Sequence, residues 1–227
     1  MLAGAILVDF DGTACLHDAA EHLLMRFGDP SWSDLDLAWA RGEIGSRDVI
    51  SAQSAMLRAP VDEMVAYVRE HCPIDPTFGP FVAWARSLGV PVTIVSDGFG
   101  LYIAPLLEAA GIEDVGVITN AWRDGAISFP NGHATCIGCG TCKMGAVLAA
   151  REAHGPVAFV GEGISDRYAA LYADVTFAKD ALVDICRRDG VRSVAWTDFD
   201  DVRRHLESSA EPPGPVAPLR CPGWQLP

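Results

Sequence analysis

From residue 77 onward the chain alternates short apolar runs with helical stretches, and this rhythm restricts the fold more than any other feature. The runs are VPVTIV at 90–95, VGVIT at 115–119, VAFVG at 157–161 and VTFA at 175–178. They are continuously apolar or β-branched and do not alternate with polar residues. That pattern belongs to strands covered on both faces, as in parallel sheets. Helix-like patterns occupy 78–88, 99–110, 143–153, 166–173, 180–188 and 198–207. Strand–helix alternation of this kind predicts an α/β fold, a doubly wound parallel sheet of the Rossmann-like type. One more strand of the same character, AILVD at 5–9, lies far upstream.

Between that strand and the rest, no strand is predicted. Residues 17–27 and 34–41 read as helices, Ser46 as the N-cap of a third running to about Leu57, and Pro60 as the start of a fourth. Pro73 and Pro76 end the pattern. The expected organisation is therefore a catalytic core from 1–14 and 77–207, a small helical cap at 15–76 inserted after the first strand, and a Pro-rich irregular tail at 208–227. A hairpin is expected near 121–129, turning at Asp124-Gly125.

Charge and composition narrow the function. The formal net charge of −13 argues against a nucleic-acid partner, which clustered Lys and Arg would serve. It permits a small phosphorylated metabolite, because one Lys and one bound cation invert the field locally. No apolar run reaches membrane-spanning length, and the N-terminus lacks a basic leader, so no membrane partner is expected and the location reads as cytoplasmic. The pattern says nothing of oligomeric state.

Ligands of open α/β sheets sit at the carboxyl ends of the strands, and four reactive segments fall there. In DFDGT, Asp9 and Asp11 are two residues apart, so in extended chain their carboxylates point the same way. One can attack phosphorus while the other manages the leaving group's proton, and both suit magnesium, which prefers oxygen ligands. As a lone motif, DxD would be an ordinary acidic turn. Ser96, with the amides of Asp97 and Gly98, offers donors to a phosphoryl group, although SDG alone also reads as a helix cap. Lys143 can neutralise phosphoryl charge; a lone Lys is more often a surface residue. Glu162 and Asp166, in GEGISD, add two acids. Four converging acids repel one another unless a cation joins them.

The order DxDGT, Ser, Lys, G(D/E)xxxD resembles the haloacid dehalogenase superfamily of phosphatases over residues 5 to about 178. The helical insertion is similar to the phosphoserine-phosphatase-like branch. CGTCK at 139–143, VTFAKDALVDIC at 175–186 and Asp198-Phe199 resemble the methionine-salvage 2-hydroxy-3-keto-5-methylthiopentenyl-1-phosphate phosphatase group. The resemblance implies Asp9 as nucleophile, forming an aspartyl-phosphate, and Asp11 as general acid/base. It implies Ser96 and Lys143 on the phosphoryl group. Magnesium would be held by Asp9, the Asp11 carbonyl, and Glu162 or Asp166. The family's usual first acid in the last motif is Asp; here it is Glu162. Serine phosphate and pyridoxal phosphate are alternative substrates.

A second metal set is conceivable. His133, Cys136, Cys139 and Cys142 have spacings suggestive of structural zinc; the plainer reading is reduced thiols or a reversible disulfide. His17, Asp18 and Glu21 are placed at the cap entrance. Trp32, Trp39, Met25, Met56 and Met64 are read as cap core before substrate contacts. Three competing functions are weighed: C–halogen hydrolysis, which needs neither metal nor a second acid; a phosphomutase; and a non-catalytic, zinc-stabilised binding protein. Asp11 and the GEGISD acids argue against the first, and the intact set Asp9, Asp11, Ser96 and Lys143 against the last; a phosphomutase would show as phosphate moved between positions of a sugar without net release.

Overall fold

The computed structural model describes residues 3–123, 125–136, 138–208 and 221. Its centre is a six-stranded, wholly parallel sheet in the order β3-β2-β1-β6-β7-β8. The strands are β1 (Ala5–Val8), β2 (Val92–Val95), β3 (Gly116–Ile118), β6 (Val157–Gly161), β7 (Val175–Ala178) and β8 (Ser193–Ala195). A two-stranded antiparallel hairpin, β4 (Ala121–Arg123) and β5 (Ala126–Ser128), stands apart. The predicted doubly wound sheet is thus the observed one. β8 was not anticipated: SVA at 193–195 is short, its burial is partial, and it adds only an edge to β7.

Period-two alternation explains why the strands read as unbroken apolar runs. Ile6 and Val8 join one core with Ala158, Val160, Ile94 and Phe177, while Leu7 joins the other with Val157, Phe159 and Val95. The first core is closed by α5 (Phe78–Ser87) and α10 (Phe199–Ser208), where Phe78, Phe81 and Phe199 pack with ring centroids about 5 Å apart. The second is closed by α7 (Lys143–His154), α8 (Arg167–Tyr172) and α9 (Asp180–Asp189). A sheet covered on both faces leaves its strand ends as the natural place for a polar site. The chain winds outward from β1 in both directions, so the switch point lies between β1 and β6, where their carboxyl ends open a crevice.

Between β1 and α5 come four helices: α1 (Ala19–Phe27), α2 (Trp32–Ala40), α3 (Ser46–Ser54) and α4 (Val61–His71). The chain leaves at Cys15 and returns at Ile74, and these two residues pair as an antiparallel bridge. The Leu16 and Asp75 amides donate to the Pro73 and Ala14 carbonyls across the same crossing. α1 presents Leu23 and Leu24, and α4 presents Met64 and Val68, to the first core. α2 buries no residue fully. Met25 is more than half exposed, whereas Met64 is core.

Two local expectations shift. Gly45, not Ser46, caps α3: Gly45 is the extended residue before the helix, and Ser46 is already its first residue. The helix expected over 99–110 begins only at Ile103 (α6, Ile103–Ala109), since residues 96–102 turn about the site. The Pro-rich tail lies outside the described residues apart from Ser208, the last residue of α10, and Cys221, which is buried and donates its amide to the Tyr172 hydroxyl.

Candidate active site

Asp9 leaves the end of β1, and its amide is fixed by the Val160 carbonyl of β6. After it the chain turns sharply. Gly12 takes φ +68°, and a side chain there would press on the Glu162 carboxyl, about 3.2 Å away. Phe10 points into the core, beside Tyr102. Asp9 and Asp11 therefore face the same crevice, as their spacing predicts, and both line one cavity of about 330 Å3.

Lys143 is the first residue of α7 and is buried. Its Nζ donates to Asp9 Oδ1 at 2.6 Å, Asp166 Oδ1 at 2.7 Å and Ser165 Oγ at 3.1 Å. Burial, and next Asp166, push the Asp9 carboxyl up to about 8, against the pull of Lys143. Burial also opposes the Lys143 charge, but Asp166 and Asp9 outweigh it and hold its pKa above the ordinary value. The ammonium keeps its proton; burial foremost, with the Asp166 charge behind it, is what lifts Asp9. Glu162 shares that excess: burial, then Asp166, carry it to about 7.

Asp166 commits both oxygens within the protein. Oδ1 takes Lys143, and Oδ2 takes the Glu162 and Gly163 amides at 2.9 and 3.0 Å. The Glu162 carboxylate faces the cavity above Gly12. The donor set is all oxygen and over-anionic, which suits a hard divalent cation. Among the described residues, however, no three His, Cys, Asp or Glu side chains close into a ready-made cage.

Asp11 sits in a different setting. The Tyr102 hydroxyl donates to Oδ2 at 2.8 Å and the Ala19 amide to Oδ1 at 2.9 Å. Burial foremost, then Asp18, raises its pKa well above the carboxylate range. Two carboxyls two residues apart are thus held differently, one by an ammonium and one by a phenol. Tyr102 also fixes Gly98, because a Cβ there would strike the tyrosine hydroxyl and lie 2.6 Å from Asp11 Oδ2.

Ser96 follows β2, is buried, lines the cavity and accepts the Gly98 amide at 3.0 Å. It is not a helix cap, since α6 starts seven residues later. Asp97 accepts the Thr141 amide at 2.6 Å, and Asn120 donates to the Asp97 and Gly98 carbonyls while accepting from Thr141 Oγ1. This buried Asn120 ties the 96–98 turn to the segment that delivers Lys143. Above it, Arg47 of α3 donates to the Cys139 carbonyl at 3.2 Å and lies over the Phe129 ring.

The expected zinc set is not assembled. His133 Nδ1 takes the Thr135 and Cys136 amides, and Cys142 Sγ caps α7 by accepting the Gly145 amide. Among the described residues these side chains do not come together as a group that could hold a metal. The cap-entrance residues His17, Asp18 and Glu21 are all exposed, and of them Asp18 lines the cavity. Trp39, expected in the cap core, lines the cavity instead. Tyr102, Asn120, Ser165 and Arg47 were not singled out from the sequence, and Ser46 only as a helix cap. The only available signal was position, just beyond a strand end or a motif.

Comparison with known proteins now identifies the chain. Residues 6–171 match the model of the haloacid dehalogenase-like hydrolase family. The chain belongs to that family. It is 27% identical to a 2-hydroxy-3-keto-5-methylthiopentenyl-1-phosphate phosphatase of Bacillus velezensis, covering 91% of each protein. It is 29% identical to a bifunctional enzyme MtnB/MtnX of Bacillus licheniformis, whose length it spans only by half. A solved phospho-aspartyl intermediate analogue of phosphoserine phosphatase superposes with a TM-score of 0.67 at 15% identity, over 91% of this chain and 99% of that one. At that identity the likeness concerns the fold alone. This haloacid dehalogenase-like enzyme is a hydrolase by family, and among its described residues no helix is long and apolar enough to cross a membrane.

Proposed function

We propose that the protein is a magnesium-dependent phosphomonoesterase acting on a small phosphorylated metabolite through an aspartyl-phosphate at Asp9. The observation that carries this reading is the pair of differently held carboxyls at one strand end, Asp9 on Lys143 and Asp11 on Tyr102. Asp9 Oδ attacks phosphorus as the ester bond breaks, and Asp11, kept protonated by burial, gives its proton to the departing alkoxide. Asp11, now anionic, takes a proton from water, which attacks the acyl phosphate and returns Asp9 and inorganic phosphate. Ser96 and the Asp97 and Gly98 amides hold phosphoryl oxygens from one side, and Lys143 offsets their charge from the other.

Magnesium would be held by Asp9, the Asp11 carbonyl and Glu162, with Asp166 positioning Lys143 and the Glu162 turn. Its chemistry there is charge neutralisation between the phosphoryl group and the carboxylates. The relatives support 2-hydroxy-3-keto-5-methylthiopentenyl-1-phosphate, the methionine-salvage phosphate, as a candidate substrate, and the proposed location is the cytoplasm. The test is phosphate release with magnesium, combined with borohydride trapping of the intermediate. Reduction should convert residue 9 to homoserine during turnover. Trapping at another residue, or full activity of Asp9→Asn, would refute the mechanism.

A further inference from the structure

The far end of the cavity, roofed by α2 and α3, is lined by Asp36, Trp39, Val49, Ile50 and Gln53. Gln53 is 6% exposed. Its Nε2 donates to Asp36 Oδ1 at 2.7 Å and to the Trp32 carbonyl at 3.4 Å. Those two acceptors fix the amide's orientation, since the flipped form would set its oxygen against a carboxylate and a carbonyl. Both Nε2 hydrogens are therefore used. What remains free on the pair is acceptor only: Gln53 Oε1 and the second Asp36 oxygen. Asp18 adds another carboxylate to the wall, and Ser46 adds a hydroxyl on the Asp97 side. No Lys, Arg or His is among the described residues lining the cavity.

We infer that this pocket selects phosphate esters whose organic part carries hydrogen-bond donors, hydroxyl or ammonium, and no carboxylate. The inference rests on the phosphatase reading and narrows its substrate class. A buried acceptor left unpaired is costly, so a donor on the substrate is rewarded. A carboxylate would meet Asp36 with no cation to receive it. The Val49, Ile50 and Trp39 side chains suit a compact, partly apolar body, and Trp39 also offers a ring face to an ammonium. Serine phosphate, whose phosphatases share the fold, is a poor fit to this wall.

The experiment compares kcat/KM on matched esters with magnesium present. Ethanolamine phosphate is set against serine phosphate, and glycerol 1-phosphate against 3-phosphoglycerate and propyl phosphate. We expect the donor-bearing, carboxylate-free ester of each set to lead by about tenfold or more, the discrimination expected of one buried hydrogen bond. Leading ethanolamine phosphate identifies the donor as ammonium, and leading glycerol 1-phosphate as hydroxyl. Asp36→Asn should shrink the carboxylate penalty, and Gln53→Met the advantage over propyl phosphate; Asp36 is half-buried, so its variant should fold even if the other does not. Equal rates across each set, a preference for carboxylates, or ratios unchanged in Asp36→Asn would overturn the specificity proposal alone, provided p-nitrophenyl phosphate is cleaved. Release from no ester at all would overturn the phosphatase reading and this proposal with it.

Discussion

The floor and the roof of the cavity are built on different principles. The floor is the sheet edge, where Asp9, Asp11, Ser96 and Lys143 are each fixed by backbone or by buried partners from other elements. The roof is two short helices: α2, which buries no residue fully, and α3, which reaches the core through Ile50 and the Lys143 segment through Arg47. The floor leaves its groups little freedom, as positioned chemistry requires. The roof can vary its side chains without disturbing the sheet. Chemistry is thus assigned to the rigid part and selection to the adaptable part.

The sharpest way to break this division is at Asp9. Asp9→Asn keeps the shape and still accepts from Lys143, so the melting temperature should change little. Turnover should fall by roughly 10⁴-fold or more, as for other nucleophile deletions. Phosphate release and a thermal melt on the same sample check this. A large loss of stability would mean that the floor is held by its charge and not by the sheet.

Metal removal gives the next largest effect and carries a pH signature. Asp9 rises to about 8, Glu162 to about 7 and Asp97 to about 6, with burial the leading cause at each. A carboxyl whose folded pKa exceeds its unfolded value stabilises the fold most at low pH, and that stability is lost as pH rises through the folded pKa. The metal-free protein should therefore lose stability between about pH 4 and pH 8. Magnesium should restore it, more at pH 8 than at pH 5, and restore activity with it. Melting curves in chelator and in magnesium at both values test the sign. A metal-free protein most stable at pH 8 would contradict the crowded-acid floor.

Tyr102→Phe tests whether the two carboxyls are held independently. It removes the hydrogen bond to Asp11 Oδ2 and leaves the Lys143 cluster untouched. We expect a loss of about 1 kcal/mol in stability and roughly tenfold in kcat. The alkaline or acid limb assigned to Asp11 should also move. A variant with an unchanged pH–rate profile would show that Tyr102 only packs.

The same division explains what the sequence made legible. The floor could be read because its signals are local: an unbroken apolar run, then a reactive residue, repeated at several strand ends. AILVDFDGT and VAFVGEGISD carry strand, turn and acids in consecutive residues. Tyr102 and Asn120 escaped because their roles arise only when β2, β3 and α6 come together. Ser46 was read as a helix cap on good local grounds, but the helix starts one residue earlier and Gly45 takes that place. Gln53 and Asp36 are ordinary helix residues until α2 packs on α3. The cysteine segment misled in the opposite direction, since metal-like spacing coincided with a helix cap and a backbone turn.

Arg47 offers the smallest test, because it joins roof to floor without lining the cavity. Its Nε reaches the Cys139 carbonyl, in the segment that ends at Lys143, and its guanidinium lies 5.2 Å from the Phe129 ring centre. Gly45, two residues before, packs against Gly138, where an added Cβ would sit 3.0 Å from the carbonyl oxygen. Arg47→Ala should loosen α3 over the cavity and leave Lys143 on Asp9 and Asp166. The expected result is a rise in KM of about fivefold to tenfold, from one charge-assisted hydrogen bond, with kcat nearly constant. Arg47→Lys should recover part of the loss through its charge, but not the guanidinium's contact with the Phe129 ring. If kcat falls instead while KM holds, the contact serves the Lys143 segment, and roof and floor are one mechanical unit.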